Sequence, residues 1–396
     1  MQPQRACPGC GRFERELLYQ QHFAEFSVEG LLTGYDVVAC RHCGLCFADR
    51  TPSQESFDRY YSVMSKYEAP GRAPDERDPS WRRLLEVVPF IERAALRDQS
   101  ILEIGCASGQ LLHLLAQRGF SRLRGMDPSP TCARIARECY GLAVETGTFS
   151  SLKPPERQAD CVVLIGVLEH VCDLSQTLAT VRALLPTGGR AFITVPDASR
   201  YVEGVDAPFQ EFSVEHINFF GPISLTNLMH AHGFDRFFCE SARMQANTTT
   251  ITPVIHGAFT KRASPGDSTQ SGIVYDDQTA DALRAYVAKS EREHAVLLPV
   301  LEELADGGLP LVVWGAGAHT LRLLVQSPLA RANVLWIIDS NPRYQGKHIG
   351  AVPIVGPEQR PADNVGILVS SRVYQDDICH QIRSRLNWTN RIITLY

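Results

Sequence analysis

Three groups of residues in this chain have the types and spacing to do chemistry. Cys7-x-x-Cys10 and Cys40-x-x-Cys43 are two pairs separated by 29 residues. Four thiolates in paired CxxC turns suit tetrahedral zinc, and a closed all-cysteine set indicates a structural rather than a catalytic ion. Cys46 stands close enough in sequence to replace Cys43 as the fourth ligand, while His22 and His42 read as surface residues. The second group is the turn Glu103-Ile104-Gly105-Cys106-Ala107-Ser108-Gly109, with Asp127 twenty-two residues after Gly105. Glycines between a strand and a helix let backbone amides approach a ligand closely, and an acid after the next strand accepts ribose hydroxyls. The third group is two Glu-His pairs, Glu169-His170 and Glu215-His216. A histidine near neutral pKa is a natural general base, and a neighbouring carboxylate orients it.

These groups need elements to hold them. Ser100 to Ile104 reads as a short apolar strand feeding the glycine turn, followed by a helix from Gln110 to Arg118. Leu123 to Met126 reads as a second strand ending at Asp127, and Ala159 to Gly166 and Ala191 to Val195 as two more. Trp81 to Arg97 has the pattern of an amphipathic helix. Apolar strands alternating with helices predict an α/β doubly wound, Rossmann-like domain with a parallel sheet covered on both faces. The strand-turn-helix signature returns at Leu311-Val312-Val313-Trp314, the turn Gly315-Ala316-Gly317 and the helix Thr320 to Leu324, with Asp339 twenty-four residues after Gly315. The expected division is therefore 1–70 for a zinc-ribbon-like module, 71–245 for the first α/β domain and 246–396 for a second, smaller Rossmann-like domain. Lys261 to Gly272 reads as a polar linker or surface loop.

Bulk composition excludes several functions. The 396 residues carry a formal net charge of −5 with 44% hydrophobic and 21% charged residues, and Lys and Arg are scattered without basic runs. That leaves no electrostatic footprint for nucleic acid or an anionic membrane, and no apolar stretch approaches the roughly 18 residues of a membrane span. With no signal pattern at the first residues, the expected location is the cytoplasm, where the twelve cysteines stay reduced. Nothing in the pattern marks an oligomer interface.

LEIGCASGQLL, GMDPSP, DCVVLIGVLEHVCD and LLPTGGRAFITVPD, in this order, resemble the successive motifs of class I S-adenosylmethionine (SAM) dependent methyltransferases. The resemblance implies that the glycine turn holds the methionine part of SAM and that the acid after the second strand holds the ribose. By position it implicates Glu103, Gly105, Cys106, Gly109, Asp127 and Pro128, with Thr148 and Phe149 beside adenine and Ile165, Gly166 and Val167 at the pocket floor. Together with the cysteine module and the C-terminal half, the chain is similar to the sugar C-methyltransferase superfamily, whose members methylate nucleotide-linked keto-sugars. That similarity implies His216 as base with Glu215 beside it, although Ser213 stands where those enzymes usually have a tyrosine. Tyr60, Tyr61 or Tyr67 would supply a phenol over the substrate; Tyr67 is carried forward with the Glu-His pair. In those relatives this half lacks a redox cofactor, and the GAGAHT turn, including His319 and Thr320, with the run Asn341-Pro342-Arg343-Tyr344, either meets the phosphates or sugar of the acceptor or is purely structural. The expected cofactors are SAM and a structural zinc ion, and the expected partner is a small-molecule substrate. O- or N-methylation of another metabolite, or an RNA methyltransferase gripping RNA with its zinc module, are the alternatives.

Overall fold

A computed structural model describes residues 4–27, 32–63, 79–152, 159–245, 250–264 and 273–396. The chain divides into two compact units, the first made of Met1–Leu18, Val37–Gly204 and His216–Leu283, the second of Tyr19–Asp36, Val205–Glu215 and Arg284–Tyr396.

In chain order the elements begin with strands β1 (Arg15–His22), β2 (Gly34–Cys40) and β3 (Cys46–Asp49) and helices α1 (Gln54–Val63) and α2 (Pro79–Ala94). The α/β part follows as β4 (Ser100–Ile104), α3 (Gln110–Gln117), β5 (Arg122–Asp127), α4 (Pro130–Tyr140), β6 (Val144–Thr146), β7 (Cys161–Ile165), α5 (Leu174–Leu184) and β8 (Arg190–Pro196). It continues with β9 (Asn218–Phe219), α6 (Pro222–Ala231), β10 (Phe234–Gln245) and β11 (Ile251–Lys261).

A seven-stranded sheet in the order β10-β11-β8-β7-β4-β5-β6 organises the first unit. Its β4, β5, β6, β7 and β8 pair in parallel, and the β10–β11 hairpin is antiparallel. Ser100 to Ile104 is buried throughout because helices cover both faces of a parallel sheet, which is why this strand is a continuous apolar run. Helix α4 shows how local chemistry sets an end: Ser129 Oγ accepts the Cys132 N–H at 3.2 Å, Pro130 opens the helix, and Gly141 closes it in the left-handed region at φ 65°. A second, four-stranded sheet has the order β1-β2-β3-β9.

The expected boundary at 245/246 is corrected by the hairpin. Strand β11 pairs with β8 from Val254 opposite Pro196 to Thr260 opposite Arg190, so the sheet continues to Lys261. The pairing partner of β11 lies some sixty residues earlier, and no local signal reveals it. Residues 19–36 and 205–215 also group with the C-terminal part rather than with the domains to which their position in sequence assigns them. The expected boundary at 70/71 lies outside the described residues.

The second unit is built on α7 (Asp277–Asp306), β12 (Leu311–Trp314), α8 (Ala318–Gln326), β13 (Val334–Ile338), β14 (His348–Ile349), β15 (Val352–Val355), β16 (Gly366–Val369), α9 (Gln375–His380) and β17 (Ile392–Thr394), with α7 beginning in the first unit. Its six-stranded sheet runs β14-β15-β13-β12-β16-β17. Among the described residues no helix is long and apolar enough to cross a membrane.

Candidate functional site

Strand β4 delivers Glu103 to the lip of the glycine turn. Gly105 and Cys106 both donate their N–H to Met126 O, at 2.8 and 3.1 Å, which ties the turn to the end of β5. Asp127 then locks it: Oδ2 accepts the Ala107 N–H at 2.8 Å and Oδ1 the Ser129 N–H at 2.9 Å. Gly105 has φ +78°, and a Cβ there would lie 2.8 Å from Val167 Cγ2, so the turn and the residue after β7 close on each other with no room for a side chain. At Gly109, with φ +79°, an added Cβ would lie 3.0 Å from the Cβ of Ala136. Gly166, also left-handed at φ +64°, donates its N–H to Thr194 O at 2.9 Å and lies exposed beside half-buried Ile165 and Val167.

Glu103 is only 3% exposed, and its Oε2 has no hydrogen-bond partner among the described residues. Burial, and secondarily the Asp127 carboxylate, push its pKa up to about 8. An orphaned buried carboxyl is costly unless something pairs with it. Together with a cradle that a Cβ would fill, it fits a ligand bearing hydroxyls or an ammonium group, which SAM has. The other positions expected at this site behave differently. Cys106 contributes backbone only, because its side chain is buried with Leu112, Ala133 and Ala136. Ser151 Oγ accepts the Thr148 N–H at 3.0 Å and donates to Thr148 O at 2.8 Å, closing the turn that holds Phe149 half-buried against the core; Pro128 is half-buried.

The raised Glu103 pKa has a consequence for stability. Between about 4.5 and about 8 the folded chain keeps a proton that the unfolded chain has lost, so the ligand-free protein loses stability as pH rises through that window. Glu103→Gln removes the loss, and the variant's advantage over the parent grows from pH 5 to pH 9, reaching on the order of a few kcal/mol. Thermal melts without ligand measure it; parallel pH profiles for the two proteins would contradict the burial argument.

At the end of β7 the chain makes a single 3-10 turn, Leu168–His170, and β9 follows His216 by two residues. These segments are sewn together: Ile217 donates its N–H to Glu169 O at 2.8 Å, and Asn218 Nδ2 donates to Leu168 O at 2.7 Å and Val171 O at 2.8 Å. The result brings one ligand atom each of Glu169, His170 and His216 within 4.8 Å of one another. The two imidazoles meet edge to face at 4.9 Å, Glu169 Oε1 lies 3.8 Å from His170 Nε2, and the Tyr61 hydroxyl is 2.9 Å from His170 Nδ1. Such a set can take a proton from an acceptor and share the resulting charge with a carboxylate.

The carboxylate gathered with both imidazoles is that of Glu169. Glu215 donates its N–H to Ser213 Oγ at 3.3 Å and groups with the second unit, whereas His216 begins a segment of the first. Of the tyrosines, Tyr61 places its hydroxyl on His170, Tyr60 is buried, and Tyr67 lies outside the described residues.

The cysteine module has one arrangement. Cys7, Cys10, Cys40 and Cys43 gather their sulfurs within 4.8 Å, with Cys7–Cys43 at 3.6 Å and Cys10–Cys40 at 3.5 Å. A tetrahedral ion with metal–sulfur bonds of about 2.3 Å places its sulfurs about 3.8 Å apart, so the four fit zinc. Cys46 points elsewhere, its Sγ donating to Gly44 O at 3.6 Å, which decides between the two candidates for the fourth place.

In the second unit Asp339 repeats the role of Asp127: Oδ2 accepts the Ala316 N–H at 2.8 Å and Oδ1 the Asn341 N–H at 2.7 Å. Thr320 does not face a ligand, since its hydroxyl serves Gly315 O and Ser370 Oγ at 2.5 Å each. His319 is buried, shares a hydrogen bond with the Tyr396 hydroxyl at 2.9 Å, and is pushed down to about pKa 3 by burial and then by the Arg322 charge.

A family model described as a methyltransferase domain matches residues 76–236. A probable S-adenosylmethionine-dependent methyltransferase of Mycolicibacterium smegmatis is 28% identical over 244 residues, which span 59% of this chain and 87% of the relative. The ubiquinone biosynthesis O-methyltransferase of Pseudomonas aeruginosa is 28% identical over 145 residues, 34% of this chain and 62% of that protein. Among solved structures, a SAM-dependent methyltransferase from Methanosarcina mazei has a TM-score of 0.37 at 20% identity, covering 44% of this chain and 98% of its own.

Proposed function

We propose that this SAM-dependent methyltransferase alkylates a small, anionic polar metabolite, with a nucleotide-linked keto-sugar as the acceptor class, and that His216 is the base. The observation that carries this reading is the convergence of His216, His170, Glu169 and the Tyr61 hydroxyl where β7 ends, beside the glycine turn that Val167 touches. When bound, SAM supplies a methyl group already activated on a sulfonium. The chain has to align the acceptor and take its proton. Glu103, Gly105, Gly109 and Asp127 would hold the cofactor, with Thr148, Phe149 and Ile165 to Val167 lining the adenine end. His216 accepts the acceptor's proton, Glu169 stabilises the imidazolium side, and Tyr61 fixes His170 through Nδ1.

The second unit, taken by itself, carries a buried cation suited to an anion. Arg322 is 5% exposed, donates towards His294 Nδ1 at 3.3 Å and the Tyr19 hydroxyl at 3.4 Å, and stacks on Phe209 at 4.0 Å. No carboxylate pairs with it among the described residues, and a phosphate would compensate a buried guanidinium that otherwise costs stability. Zinc is the ion we assign to the four cysteines, and near one equivalent per chain in elemental analysis is the check.

O-methylation of a hydroxylated aromatic is the second reading, favoured by the resemblance to an enzyme of ubiquinone biosynthesis. Methyl transfer from isotopically labelled SAM to a panel of nucleotide-linked 4-keto sugars and hydroxylated aromatics, read by mass spectrometry, separates the two. A labelled sugar product is the expected result; label only in the aromatics would replace the first reading by the second.

A further inference from the structure

The two histidine-bearing segments are 46 residues apart in sequence, and besides the Ile217 and Asn218 bonds they share a third fastening, Arg5. Arg5, two residues before the first zinc-type cysteine, sends its guanidinium to three backbone carbonyls: Cys172 O at 2.6 Å and Val171 O at 3.3 Å through Nη2, and Ile217 O at 3.4 Å through Nη1. Two of those carbonyls close the turn that carries Glu169 and His170; the third belongs to the residue after His216. The arm itself is fixed. Asp49, 2% exposed, accepts the Arg5 N–H at 2.6 Å and pairs with Arg15 at 2.5 Å, while Arg15 also donates to Arg5 O at 3.0 Å. The guanidinium lies 5.8 Å over the ring of Phe47, which pairs with Asn218 across the β3–β9 register.

We propose that Arg5 is the positioning residue of the acceptor-side cluster, so that the cysteine module sets the separation of His170 and His216. A planar fork with several fixed donors can bridge carbonyls from two segments at once; an ammonium on a flexible stem cannot hold both in one geometry. The ion-binding module also reaches the cluster a second way. Cys40 ends β2, Cys43 precedes β3, and β3 pairs with β9 immediately after His216. The four-cysteine site and the Arg5 fork thus act on the same strand. Ordering β3 orders β9, and Arg5 fastens β9 to the 168–172 turn. This inference rests on the reading of His216 as base only for its catalytic consequence; the structural clamp stands independently of it.

The test uses the full-length protein with its bound metal retained, and Arg5→Ala and Arg5→Lys variants. Backbone hydrogen exchange in peptides covering 168–172 and 216–219 is expected to rise about tenfold in both variants, with SAM affinity within twofold of the parent, because the carbonyls lose a charged partner while the glycine turn keeps its own bonds. With the acceptor found in the panel above, kcat falls at least tenfold while KM changes little. Guanidinium ion at tens of millimolar restores exchange protection and turnover to Arg5→Ala, since Arg5 lines an open cleft of about 430 Å³ with Gln4, Pro52, Cys172 and Ser175. If Arg5→Ala does not fold, Arg5→Lys alone decides. Parental exchange in those peptides, or faster exchange that guanidinium does not reverse, overturns the clamp. Faster exchange with unchanged kcat leaves the clamp in place and removes the His pair from the chemistry, so the two failures are distinct.

Discussion

Gly105→Ala is expected to lower SAM affinity by roughly a hundredfold while leaving the chain folded. Two costs combine at this position. An L-residue in the left-handed region costs roughly 1–2 kcal/mol, and Gly105 sits at φ +78°. The new methyl group would also stand 2.8 Å from Val167 Cγ2, inside normal contact distance. Val167 leads into the Leu168–His170 turn, so it cannot retreat without disturbing Glu169 and His170. The turn must open instead, which withdraws the amides that a ligand would approach. Gly141→Ala is the matched control: Gly141 has φ +65° but nothing within 4 Å of the added Cβ. It should cost about 1 kcal/mol of stability, as loss of a left-handed cap does, and no SAM affinity. Calorimetric titration with SAM measures both. Equal affinities in Gly105→Ala and the parent would mean that the turn does not touch the cofactor.

His216→Ala is expected to reduce kcat by about 10²–10⁴-fold, the range that a positioned general base supplies, with SAM affinity nearly unchanged. The separation of effects follows from where the residues sit. His216 precedes β9 and belongs to the segment joined to 168–171 by Ile217 and Asn218. The glycine turn is held separately, by Met126 O and Asp127. Tyr61→Phe should give a smaller loss, because it removes only the hydrogen bond that orients His170 Nδ1. The measurement is single-turnover methyl transfer with the labelled cofactor. Full activity in His216→Ala would remove it as base and leave His170 as the remaining imidazole of the cluster.

The parts of the site that were legible in the sequence are those made by neighbours in the chain. The glycine turn, its acid and the strand that feeds it could be read because a strand, a tight turn and a helix start are decided within about ten residues. The same locality misleads at Asp127 and Asp339. Both acids sit at the end of the second strand, and both accept an amide of the glycine turn at 2.8 Å, that of Ala107 in one and of Ala316 in the other. The spacing between turn and acid is thus a device of this strand-turn-helix fold, and spacing alone does not separate a ligand-binding half from a structural one. The orphaned Oε2 of buried Glu103 does, and burial is not a property of the local sequence. Thr320 was misread for a similar reason: whether a hydroxyl faces a ligand or a neighbouring strand depends on Ser370, fifty residues away.

By itself, the sequence determined the strand-turn-helix units, the pairing of cysteines into knuckles, and the presence of two histidines with acids beside them. Each depends on short-range backbone chemistry or on residue identity. Only the tertiary structure decided which acid serves which histidine. Hydrogen bonds spanning 47 to 212 residues bring Glu169, His170 and Tyr61 to His216 and lay Arg5 across the join. Except for the Tyr61–His170 bond, they are accepted by backbone carbonyls, which every residue has, and a carbonyl leaves no mark in the sequence until the fold places a donor against it.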